Sequence, residues 1–93
     1  MKMCHVFISG FVQGVGFRQF AKINALKLEL TGWVKNLNDN RVEAVFCGSK
    51  ERIDQMIPIC RKGPFLSEVR DVVVEWEDQS EALKSFEIIA SRE

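Results

Sequence analysis

Apolar and polar residues alternate from Cys4 to Val12 (CHVFISGFV), where β-branched and aromatic side chains predict a strand with Val6, Ile8 and Val12 on one face. Beyond a pair of glycines the period changes. Phe17, Phe20, Ala21, Ala25 and Leu28 recur at helical spacing, with Arg18, Lys22 and Glu29 on the other side, so a helix is predicted over 17–28. Extended patterns return at 31–37 (TGWVKNL) and 41–47 (RVEAVFC), and the intervening Asn38, Asp39 and Asn40 suit a hairpin turn because Asn and Asp tolerate positive φ. A second helix is bracketed by Ser49 as N-cap with Glu51 in the first turn, and by Arg61 and Lys62 ahead of an expected left-handed stop at Gly63 and Pro64. Ile53, Met56, Ile57 and Cys60 form its apolar stripe, and Pro58, which removes a helix hydrogen bond, predicts a kink there. A fourth strand is expected at 69–76 (VRDVVVEW) with Val72, Val74 and Trp76 on one face, then a polar loop at 77–84 and a short strand at 86–89.

The order β-α-β-β-α-β plus a short C-terminal strand, joined by right-handed crossovers, predicts an α+β fold. It is a ferredoxin-like two-layer sandwich, an antiparallel sheet with two helices on one face. A chain of 93 residues has apolar surface for one core, so residues 1–93 are expected to form a single domain. Hydrophobic residues at 46% and charged residues at 28% are ordinary globular values. No apolar run approaches the roughly 20 residues of a membrane span. The N-terminal alternation reads as a strand instead of a signal peptide, which points to the cytoplasm. Cys4, Cys47 and Cys60 are odd in number, unpaired by spacing and set in apolar segments, which predicts reduced, partly buried thiols.

Thirteen basic and thirteen acidic residues balance, with a pI near 6.6, against the markedly basic character of a nucleic-acid domain. Phe7 and Phe46 are the aromatic candidates for stacking RNA bases on a sheet of this kind, but their strands lack the basic, glycine-aromatic pattern such domains use. Any bound anion must be held by a local site.

Phe11 to Arg18 (FVQGVGFR) is the candidate. It is not a P-loop, which needs a glycine-lysine pair followed by Ser or Thr, and Gln19 stands where a dinucleotide fingerprint needs its third glycine. Gly14 and Gly16 still allow positive φ and close backbone approach, the following helix offers unpaired N–H groups, and Arg18 adds a planar charged fork. On the octapeptide alone the plain reading, a tight β-to-α turn with a surface arginine, stands ahead. Asn36 changes this. It closes a strand expected to run parallel to the first with the third between them, so both carboxyl ends share a sheet edge and Arg18 and Asn36 can converge on one anion. His5, the only histidine, reads as a packed or edge-strand residue.

With VQGVGFR at 12–18, TGWVKNL at 31–37, RVE at 41–43 and RKGP at 61–64, in order and spacing across the whole chain, the sequence resembles the acylphosphatases. The resemblance implies hydrolysis of a carboxyl-phosphate anhydride to a carboxylate and inorganic phosphate, with no metal and no organic cofactor. It implies that the loop Gly14, Val15, Gly16, Phe17 and Arg18 and the Arg18 side chain hold the phosphoryl group. Asn36 positions the attacking water, and the substrate's own phosphate receives the water proton. It further implies a small acyl phosphate as substrate, no nucleic-acid or membrane partner, and a monomer; the alternative is a non-catalytic anion-binding or regulatory module that kept the cradle. Three positions depart from the family pattern: Glu29 where a left-handed glycine usually ends the first helix, Asp39-Asn40 for a usual Asp-Gly turn, and Pro58 within the second helix.

Overall fold

A computed structural model describes residues 1–78 and 83–90. The elements follow the order β1 (Lys2–Phe11), α1 (Phe17–Lys27), β2 (Thr31–Asn36), β3 (Val42–Gly48), α2 (Lys50–Lys62), β4 (Glu68–Asp78) and β5 (Phe86–Ile88). The strands form one sheet in the order β4-β1-β3-β2-β5. Both β1 and β2 pair antiparallel with β3, so they run parallel to each other, as a ferredoxin-like sandwich requires. The sheet is mixed instead of wholly antiparallel, because β5 adds parallel to β2, with Val34 opposite Ile88. A strand three residues long has too little side-chain pattern to announce its partner.

Alternation in β1 sends Cys4, Val6 and Ile8 to the helix side, where they share one core with Phe17, Ala21 and Ala25 of α1 and Ile53, Met56 and Cys60 of α2. Phe46, one of the aromatics considered for base stacking, lies fully in this core and stacks on Phe86 at 5.6 Å between ring centroids. His5 faces the other side of the sheet, where its Nε2 meets the Glu43 carboxylate and its ring stacks on Phe7. The burial of Cys4 pushes its thiol up to about 11, and that of Cys60 to about 12.

The helix ends are built from the expected residues, with one difference at Gly63. Ser49 Oγ accepts from the Arg52 amide at 3.3 Å, and α2 runs unbroken across Pro58. Gly63 has positive φ (68°) but an extended ψ (175°) instead of the left-handed helical value, because Pro64 disfavours a helical ψ in the residue before it. Glu29, at φ 57°, does occupy the left-handed position after α1. The Leu30 amide reaches the Ala25 carbonyl at 2.9 Å and the Glu29 amide the Leu26 carbonyl at 3.1 Å, the paired bonds of a Schellman motif. Arg52 at the start of α2 holds the Glu29 carboxylate at 2.9 Å.

β4 is longer than its pattern suggests. Glu77 and Asp78, expected in a loop, continue the ladder opposite Met3 and Lys2, and Lys2 Nζ meets Asp78 at 2.6 Å. Val72 is buried, whereas Trp76 is exposed beneath the Lys50 ammonium, 5.5 Å from its ring centroid. Residues 79–82 of the expected loop lie outside the described residues.

Candidate active site

Because β1 and β2 are parallel, their carboxyl ends meet at one edge of the sheet, and α1 starts at that edge. The connection between β1 and α1 contains Gly14 at φ 75° and Gly16 at φ 79°, both in the left-handed region. A Cβ added to either would meet nothing within 4 Å, so it is the backbone turn, and not crowding, that calls for glycine in the unliganded chain.

The turn leaves the start of α1 open. Gly16 is its N-cap, no side chain caps it, and no acid lies in its first turn. Phe20 is the first residue whose amide reaches back along the helix, to the Gly16 carbonyl at 3.0 Å. The amides before it point towards the end of the helix that carries partial positive charge. The contrast with α2 is informative: there Ser49 caps the end and Glu51 sits in the first turn.

A cleft of about 250 Å³ lies over this helix start. Gly14, Gly16, Phe17 and Arg18 line it from one side and Asn36 from the other, so the residues singled out in sequence are brought together. Val15 is the exception: its side chain is half-buried against the core and does not line the cleft. Val12, Gln19 and Ile88 complete the lining. Ile88 carried no signal in the sequence, since its place depends on β5 running parallel to β2 and ending at the same edge.

Arg18 is the one charged residue of the lining, and among the described residues it makes no ion pair. The cleft therefore has uncompensated positive charge, open amides and a neutral carboxamide. Such a site suits an oxyanion the size of a phosphoryl group, with Arg18 gripping two oxygens and Asn36 able to donate to an oxygen or accept from a water. Among the described residues no three His, Cys, Asp or Glu side chains are grouped as metal ligands. No described helix is long and apolar enough to cross a membrane.

The β2–β3 hairpin that presents Asn36 is braced. Asp39 receives the Arg41 side chain at 2.7 Å, and this hydrogen bond holds its carboxyl below the usual range. Asn40 takes positive φ (72°) in the turn.

Residues 4–88 match the sequence model of the family described as Acylphosphatase. An acylphosphatase of Trichormus variabilis is 50% identical over 84 residues, 90% of this chain and 82% of that protein. One from Roseiflexus is 45% identical over 96% of both chains. Among solved structures, the acylphosphatase of Bacillus subtilis superposes with a TM-score of 0.93 at 35% identity, covering 96% of this chain and 99% of the other.

Proposed function

The chain belongs to the acylphosphatase family and hydrolyses acyl phosphates, and from that premise we propose how its own residues carry the reaction. The phosphoryl group of a carboxyl-phosphate anhydride sits in the cradle formed by the backbone of Gly14 to Arg18. The Arg18 guanidinium binds its oxygens in bidentate fashion. The Asn36 carboxamide holds a water in line with the bond to be broken. The observation that supports this reading is the convergence of Arg18 and Asn36 on one cleft at the open start of α1.

The chemistry suits so plain a site. Water oxygen bonds to phosphorus as the bond from phosphorus to the acyl oxygen breaks, and the electron pair leaves with a carboxylate that needs no proton. A general acid is unnecessary. Asn36 does not take a proton at neutral pH, so the water proton passes to a phosphoryl oxygen of the substrate. The protein contributes position and charge: Arg18 and the loop amides stabilise the equatorial oxygens, and Asn36 fixes the approach. In-line attack also directs the acyl group away from Asn36.

One continuous core joins the sheet and both helices, which supports a single domain spanning residues 1–93. Three buried, free cysteines support a reducing compartment, the cytoplasm. The balanced charge supports a small acyl phosphate, and not a nucleic acid, as the partner.

The test is loss of benzoyl phosphate in metal-free buffer. Arg18→Ala is expected to lower kcat/KM on the order of a hundred- to a thousandfold, the usual loss for one stabilising donor. Asn36→Ala is expected to abolish turnover while inhibition by inorganic phosphate is kept. Undiminished turnover in Arg18→Ala, or equal loss of turnover and phosphate binding in Asn36→Ala, contradicts the assignment.

A further inference from the structure

Gln13 is the residue before the first glycine of the cradle, and its side chain turns away from the cleft towards the hairpin. Its carboxamide nitrogen donates to two carbonyl oxygens, those of Leu37 and Arg41, each at 2.8 Å. Leu37 directly follows Asn36, and Arg41 directly precedes Val42, the cross-strand partner of Asn36. A primary amide has two N–H groups, and this geometry uses both. No other described side-chain hydrogen bond joins the segment 13–18 to the β2–β3 hairpin.

Neither carbonyl depends on Gln13. The Leu37 amide already donates to the Arg41 carbonyl at 2.8 Å, and the Asn40 amide to the Leu37 carbonyl at 3.3 Å. The hairpin closes through its own backbone, so the two extra bonds serve the spacing between hairpin and cradle. That spacing sets where a water on Asn36 stands relative to a phosphorus in the loop.

We infer that Gln13 is a positioning residue for hydrolysis: its amide ties the phosphate cradle to the two chain segments flanking Asn36 and so keeps the attacking water in line. The inference rests on the reading of Asn36 as the residue that holds this water. A misplacement of about 1 Å in such an arrangement lowers the rate on the order of a hundredfold.

Gln13→Met keeps the length of the side chain, removes both donors and leaves both carbonyls with their backbone partners. Its kcat on benzoyl phosphate is expected to fall by about ten- to a hundredfold while the inhibition constant for inorganic phosphate stays within about twofold. Gln13→Glu supplies a second readout. A protonated carboxyl has one donor and an ionised one has none, so its kcat relative to the unaltered enzyme should rise as pH falls through the pKa of the new side chain. A purely structural role predicts neither the split nor the pH profile. In an Asn36→Ala background, followed at high enzyme concentration, Gln13→Met should add no further loss, because a misplaced Asn36 and an absent one are equivalent. Where that background leaves no measurable rate, the split and the pH profile decide.

An unchanged kcat in Gln13→Met, phosphate inhibition weakening in step with kcat, a flat relative pH profile in Gln13→Glu, or losses that multiply with Asn36→Ala would each overturn the inference. Full turnover in Asn36→Ala alone would overturn the reading of Asn36 beneath it, and is recognised without any change at Gln13.

Discussion

Replacing Glu29 by glycine separates a backbone effect from a charge effect at one residue. Glu29 stands at the left-handed position of the Schellman motif ending α1, with φ 57°. A non-glycine residue there is strained by about 1 kcal/mol, and glycine removes that strain. The opposing contribution is the ion pair with Arg52 at 2.9 Å. The two side chains are 71% and 47% exposed, so solvent screens the pair to about 0.2–1 kcal/mol. Glu29→Gly therefore gains between about 0 and 0.8 kcal/mol. Glu29→Gln keeps the strain, loses the charge and becomes less stable by the ion-pair amount. The glycine variant should exceed the glutamine variant by about 1 kcal/mol, roughly 4–8 °C in Tm for a domain of this size. Urea unfolding of all three proteins measures this, first in dilute buffer and then at 1 M salt, where a Debye length of about 3 Å removes most of the pair. At high salt, glutamate and glutamine should converge and glycine should remain ahead. A glycine variant no more stable than the glutamine variant would refute the assignment of strain to Glu29.

Three further predictions come from the glycines and the thiols. Gly32→Ala should destabilise the fold by about 3 kcal/mol or more, since its Cβ would stand 1.8 Å from the Val45 carbonyl oxygen. Gly16→Ala meets open space and should cost only about 1 kcal/mol, yet lower kcat/KM more than about tenfold by re-aiming a cradle amide; thermal unfolding beside benzoyl phosphate kinetics measures both. Iodoacetamide at pH 8 should leave the native chain unlabelled, because burial keeps Cys4 near 11 and Cys60 near 12 and raises Cys47 in the same direction; mass spectrometry should find three adducts in denaturant, and rapid native labelling would contradict the buried thiols.

Local chemistry made much of this molecule legible in advance. The Ser49 cap of α2, the turn at Asn40 and the left-handed position of Glu29 are decided by a few adjacent residues, and they stand as expected, whereas the stop at Gly63 keeps the positive φ but not the helical ψ. Arg18 and Asn36 could be paired because the topology, once read from element order, puts the ends of two parallel strands together. What sequence left open depends on distant partners. The pairing of β5 with β2, and hence the place of Ile88, depends on an edge offered by another strand. The extension of β4 through Glu77 and Asp78 follows from its pairing with the start of β1. The two acceptors of Gln13 lie 24 and 28 residues away and are backbone atoms, which leave no mark in a side-chain pattern.

The length of β4 has a consequence for behaviour in crowded solution. Among the described strands it lies at an outer edge of the sheet, so an eleven-residue strand offers a free row of amides and carbonyls to any second chain. Its apolar run Val72, Val73 and Val74 is what a self-templating strand would favour. Glu68, Arg70, Asp71, Glu75, Glu77 and Asp78 flank that run with charge that is acidic on balance and opposes edge-to-edge addition. Neutral replacements of these acids are thus expected to remove a guard against fibre growth that lies in the charges of one strand.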